Sequence, residues 1–169
     1  MKAISILGLL ITLFIFSAFS TTIYKQEHEL LLEKVISALK KEDFKLFLST
    51  CVPDQQAFDE LLKAEYSLSP RLMETKDTKA VRDSIISKLK LSFERLLEEG
   101  KKNNLEWGKI ELVRTGIKST SMGKVYQLEL PFEISCLGKV YHLAVSSSTQ
   151  LISNPSVILP GELKWLGIE

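Results

Sequence analysis

The chain has 169 residues, 22 of them basic and 21 acidic, for a net charge of +1. That balance argues against the basic excess on one face that a nucleic-acid footprint needs, and also against strong steering toward anionic lipid. Without its first twenty residues the chain keeps ordinary single-domain length, enough to bury a core with neither metal nor disulfide.

Lys2 precedes an apolar run from Ala3 to Phe16, and Ser17-Ala18-Phe19-Ser20 follows. A basic start, an apolar stretch and a small-residue end make the pattern of a secretory signal peptide, with Ala18 and Ser20 at the −3 and −1 positions of a cut before Thr21. Residues 1–20 are therefore read as a signal peptide, and residues 21–169 as a single α+β domain that works outside the cytoplasm, periplasmic or secreted. An uncleaved N-terminal membrane anchor is the alternative. The run is slightly short of the about 20 apolar residues of a spanning helix and carries Ser5, Thr12 and Ser17. No cysteine follows it to accept a lipid, and no second long apolar run follows, so no membrane insertion is expected after signal removal.

Residues 23 to about 102 have helical periodicity. Leu31, Val35 and Leu39, with Leu32 and Ile36 beside them, place one apolar stripe on a helix over 23–40. Glu42-Asp43 offers a fresh cap for a short helical turn over 44–49 that uses Phe44, Phe47 and Leu48. Val52-Pro53 breaks the chain, and Asp54 caps a second helix over 55–66 that buries Phe58, Leu61 and Leu62. Pro70 makes another break, and a polar, mobile connection is expected up to Thr78. A long helix over 79–102 follows, its stripe formed by Val81, Ile85, Leu89, Phe93 and Leu97, and Gly100 and Asn103-Asn104 mark its end.

The second half alternates. A strand is expected near Ile110, Leu112, Val113 and Ile117. From Lys124 to Cys136, Tyr126, Leu128, Leu130, Phe132, Ile134 and Cys136 share one face, and polar residues take the other. A two-residue turn at Leu137-Gly138 leads into a return strand over 139–147. It sets Cys136 opposite Lys139, Ile134 opposite Tyr141, Phe132 opposite Leu143 and Glu133 opposite His142. Leu151-Ile152 and Val157-Ile158-Leu159 flank Asn154-Pro155, which implies an edge or a bulge. Pro160-Gly161 turns the chain into a closing strand over 162–168.

The expected fold is α+β, with N-terminal helices on one face of a curved antiparallel sheet of four to five strands. This arrangement resembles the nuclear-transport-factor-2-like, or cystatin-like, α+β cone. Four segments resemble small secreted bacterial members of that group, many of unknown function: Ala38-Leu39-Lys40-Lys41-Glu42-Asp43-Phe44, Val52-Pro53-Asp54, Gly138-Lys139-Val140-Tyr141-His142-Leu143, and Leu163-Lys164-Trp165-Leu166-Gly167-Ile168. The resemblance spans about residues 23–168. It implies a fold and no activity, because the pocket acids, histidines and tyrosines of the superfamily's enzymes do not map onto this chain.

No catalytic residue, metal ligand set or cofactor motif is assigned. His28, between Glu27 and Glu29, is expected to be solvated. Glu133 and His142 are read as an exposed cross-strand pair in preference to an acid/base pair. Trp107, Tyr126, Tyr141 and Trp165 are the candidate lining of a ligand pocket between sheet and helices; the competing reading is that these rings fill the core. Cys51 and Cys136 are expected to be two unpaired buried thiols; the alternative is a disulfide formed in an oxidising compartment. The function expected is a secreted or periplasmic non-catalytic binding or accessory domain that engages a small apolar ligand or an envelope protein and binds no nucleic acid. The alternative is an extracytoplasmic enzyme whose pocket is unrecognised.

Overall fold

A computed structural model describes residues 26–66 and 77–168. The predicted signal segment and the polar connection before Thr78 lie outside the described residues. Four α-helices precede a mixed-length antiparallel sheet: α1 (residues 26–40), α2 (Phe44–Cys51), α3 (Gln55–Tyr66) and α4 (Thr78–Lys102), then a 3₁₀ turn at Trp107–Lys109. The strands are β1 (Glu111–Thr115), β2 (Lys118–Met122), β3 (Val125–Cys136), β4 (Lys139–Leu151), β5 (Ile158–Leu159) and β6 (Glu162–Ile168).

The helix boundaries follow from local chemistry. Glu42 adopts φ +50 after α1, the Asp43 N–H donates to the Ala38 carbonyl and the Glu42 N–H to the Leu39 carbonyl. These are the two bonds of a Schellman stop, here with Glu where glycine is commoner. Asp43 at once serves the next helix, its carboxylate accepting from the N–H groups of Lys45 and Leu46 at 2.8 and 3.0 Å. Asp54 caps α3 through the Ala57 N–H and Asp77 caps α4 through the Ala80 N–H. At the far end of α4, Asn104 at φ +58 repeats the Schellman pattern, with Leu105 N–H on the Gly100 carbonyl and Asn104 N–H on the Lys101 carbonyl.

The sheet is built on the long β3–β4 hairpin. Leu137 and Gly138 have φ +51 and +80, the two left-handed residues of a type I′ turn. The register matches the sequence expectation at every predicted pair: Cys136 with Lys139, Ile134 with Tyr141, Glu133 with His142 and Phe132 with Leu143. Each flank of the hairpin carries a broken strand: β1 and β2 lie in line along β3, β5 and β6 in line along β4. The sheet therefore has six strands, not four to five. The stretch predicted as a strand near Ile110–Ile117 is β1, which ends before Gly116, and the separate β2 that follows has no predicted counterpart. The return strand runs on to Leu151 past a bulge opposite Glu129, where Ser147 has φ +58 and its N–H donates to the Glu129 carboxylate at 3.0 Å.

The main core lies between the inner face of the hairpin and α1, α2 and α4. It joins Leu32, Val35, Leu39, Phe47 and Phe93 to Leu130, Phe132, Ile134, Tyr141 and Leu143, with Leu97 packed against it. Phe44, Phe47 and Phe93 touch one another, with ring centroids 5.5–5.9 Å apart. A second cluster joins Phe58, Leu61, Leu62 and Ala64 of α3 to Val125, Leu151, Val157 and Leu159; Val52 and Ile85 contact both. At this end of the hairpin the predicted alternation changes. Val125 is fully buried in the second cluster, whereas Tyr126 is only partly buried.

Candidate functional site

His28 is buried, at 3 % exposure, which corrects its expected solvation. Its place on α1 explains this: it stands four residues before Leu32 and seven before Val35, and so on the apolar stripe. Its Nε2 lies 3.1 Å from Gln150 Oε1, and Gln150, also buried, spends its Nε2 on the Pro155 carbonyl at 2.7 Å. With the Gln150 amide so committed, its Oε1 must accept, and His28 carries its proton on Nε2. Nδ1 is buried without a partner. Burial pushes the imidazole pKa below its ordinary value, opposed by the Gln150 hydrogen bond and by Glu27.

Glu133 and His142 do form the predicted cross-strand pair, with Nδ1 3.7 Å from Oε1. Arg114 of β1 approaches the same Glu133 oxygen at 3.5 Å, so the wet face carries a row of three charged or titratable groups. The two cysteines are free and buried. Cys136 Sγ faces the Glu106 carbonyl at 3.6 Å, and burial raises the Cys51 thiol to about 11, with Thr50 and Lys34 opposing. A thiol so placed is the protonated, unreactive form at neutral pH.

The four predicted pocket aromatics have different surroundings. Trp107 is core: its ring rests against Gly100 of α4 and its Nε1 donates to the Leu97 carbonyl at 3.2 Å. Tyr126 is partly buried against the same core. Tyr141 and Trp165 meet as rings, edge to face with centroids 5.5 Å apart. Trp165, half-buried, borders an open cleft of about 350 Å³ between α4 and β6, together with Arg95, Leu96, Glu99 and Leu163.

A larger open groove of about 520 Å³ lies between α3 and the far end of the hairpin. Glu60, Lys63 and Ala64 come from one face of α3, Gly123 and Lys124 from the β2–β3 turn, and Leu151, Ile152 and Ser153 from the end of β4. Gly123 at φ +61 makes that turn, and the Ile152 N–H donates to the Lys124 carbonyl at 3.1 Å, which ties the turn to the end of β4 on the sheet side of the groove. Ala64 and Leu151 are buried and Ile152 half-buried, while Glu60, Lys63, Lys124 and Ser153 are exposed. The groove thus has an apolar floor and a polar rim. Sequence reasoning missed it because its eight residues come from three elements, and only turn chemistry at Gly123 hinted at where those elements converge.

Among the described residues no three His, Cys, Asp or Glu side chains are grouped as metal ligands would be, and no helix is long and apolar enough to cross a membrane. No protein-family model, curated protein or solved structure matches the chain.

Proposed function

We propose that the protein is an extracytoplasmic binding domain of the cystatin-like, nuclear-transport-factor-2-like type. It holds a small, largely apolar ligand in the groove between α3 and the β3–β4 hairpin. The observation that carries this reading is the groove itself. Its volume, about 520 Å³, falls in the range of about 300–1,000 Å³ common for small-molecule sites. Its apolar floor of Ala64, Leu151 and Ile152 under a rim with Glu60, Lys63 and Lys124 suits a ligand with one apolar face. The fold type is supported by helices laid before a bulged antiparallel hairpin sheet, and the address by the basic, apolar and small-residue order of residues 1–20.

The test uses anilinonaphthalene sulfonate as the probe, displaced by unlabelled short-chain amphiphiles. Saturable binding is expected, weakened at least tenfold by Ile152→Glu, which sets a charge on the half-buried floor without entering the main core. Binding unchanged by Ile152→Glu in a folded variant, or no saturable binding, refutes the groove. The address is tested by the intact mass of the protein recovered from its host, which should begin at Thr21; a mass that retains residues 1–20 refutes cleavage.

A further inference from the structure

Strand β6 is an edge. It pairs with β4 and with no other strand among the described residues. Helix α4 packs against β6, and the 350 Å³ cleft runs between them. The Leu163 N–H points away from β4 and donates to Ser92 Oγ of α4 at 3.3 Å. Alternate residues of a strand share that direction, so the N–H and C=O of Trp165 face the cleft side as well. Ser92 thus closes the edge at Leu163, and among the described residues no hydrogen bond from α4 reaches the edge beyond it. Past this point the strand bulges at Leu166, with Trp165 opposite Leu143 and Gly167 opposite His142, and Leu166 and Ile168 are 56 % and 44 % exposed.

The cleft wall is the Trp165 ring, braced by Tyr141, and its floor is Leu96 and Leu163, both buried. Its two charged residues differ. Glu99 is engaged by Lys102 Nζ and Asn103 Nδ2, each at 3.4 Å. Arg95 is exposed and forms no ion pair among the described residues.

We propose that this cleft docks an extended, acidic polypeptide segment of a partner protein. The segment adds a strand to β6 at Trp165, ahead of the bulge, sets an apolar side chain against Trp165 and places a carboxylate on Arg95. An extended segment is the occupant because the cleft presents edge backbone groups and an apolar side-chain pocket side by side: the first supplies affinity and the second specificity in strand addition. The acidic character follows from the unbalanced guanidinium at the rim, whose planar fork matches a carboxylate. This site is separate from the α3 groove, and neither reading depends on the other.

The experiment measures fluorescence anisotropy of three labelled ten-residue probes on the full chain. Each probe has valine at alternate positions, with glutamate, serine or lysine between. The glutamate probe is expected to bind at least tenfold more tightly than the lysine probe, and Arg95→Glu to reverse that order. N-methylation of alternate amides in the glutamate probe is expected to weaken it at least tenfold, because those amides pair with the β6 edge. Arg95 is exposed, so the variant should melt with the parent, which circular dichroism checks. Equal binding of the three probes, indifference to Arg95→Glu, full binding of the N-methylated probe, or no saturable binding at all would each overturn the proposal. Sedimentation that showed β6-mediated self-association blocking every probe would also overturn it, in favour of a second copy of this chain as the occupant.

Discussion

The tie between His28 and Gln150 makes stability depend on pH in a way that one substitution isolates. In the folded protein the imidazole is neutral, with Nε2–H bonded to Gln150 and Nδ1 buried and bare. Protonation would place a second donor at Nδ1 with no acceptor near it, which is why burial holds the folded pKa below the ordinary 6.5. The unfolded chain keeps the ordinary value. Below pH 6.5 the unfolded state therefore binds more protons than the folded one. The stabilisation is complete above pH 6.5, falls as the pH drops through 6.5, and stops falling once the folded pKa is passed. A single proton sets the steepest slope at about 1.4 kcal/mol per pH unit.

Replacing His28 by Leu removes this dependence and has its own cost at high pH. Gln150 Oε1 is left buried without a donor, which costs about 1–3 kcal/mol, partly offset by the apolar side chain that replaces the ring. Urea unfolding at pH 8, 7, 6 and 5 gives the comparison through the midpoint and slope of each curve. At pH 8 the variant should be the less stable protein. On acidification the parent should lose stability faster than the variant, so that the gap narrows below pH 6.5. His142 is common to both proteins and cancels in the difference. Parallel stability–pH curves for parent and His28→Leu would refute the reasoning, because they would mean that the imidazole titrates alike in the folded and unfolded chains.

Three other outcomes are expected. Gly100→Ala should destabilise by about 1–3 kcal/mol in chemical unfolding and shift Trp107 fluorescence, because a Cβ at that position would meet the indole of Trp107; an unchanged midpoint would mean that the ring can move aside. Phe132→Ala should cost about 3–5 kcal/mol, since Phe132 is 2 % exposed and shares one core with Phe93 and Leu143; a loss under about 1 kcal/mol would mean that this face is not packed as described. Thiol titration of unfolded, unreduced protein should find both Cys51 and Cys136 free, slow to react in the folded state because the Cys51 thiol is buried with its pKa raised to about 11; finding no free thiol refutes the unpaired assignment.

The parts of the fold legible in the sequence are those where two independent signals agree. The β3–β4 hairpin is the clearest: the alternation from Leu128 to Cys136 and the Leu137-Gly138 turn each fix the register, and they fix the same one. The α1–α2 junction is similar, since one Asp43 can only cap a helix that begins after it. Strand β2 was illegible for the opposite reason. Lys118-Ser119-Thr120-Ser121-Met122 is exposed throughout and has no buried face to leave a pattern; its strand state comes from pairing with β3. His28 lay on a visible stripe, but the glutamates on either side suggested water, and its partner Gln150 is 122 residues away.

The two tryptophans separate what sequence can carry from what it cannot. Each stands beside a glycine or leucine at the edge of an alternating or capped segment, so each reads equally well as core or as pocket wall. What divides them is their tertiary setting. Trp107 meets a notch in α4, because Gly100 has no Cβ, and its indole N–H finds the Leu97 carbonyl at the helix end, so the ring is taken fully inside. Trp165 sits on an edge strand that its covering helix bonds through Ser92 two residues earlier, at Leu163, and the ring is left with Tyr141 on one side and an open cleft on the other. Gly100 could be read from sequence as a helix stop, but its second role, as the seat of an indole, depends on where the chain returns after Leu105. The candidate sites of this protein are of that second kind: the groove at α3 and the cleft at β6 arise where a helix ends its cover of a sheet, and helix and sheet each obey their own periodicity without recording where they part.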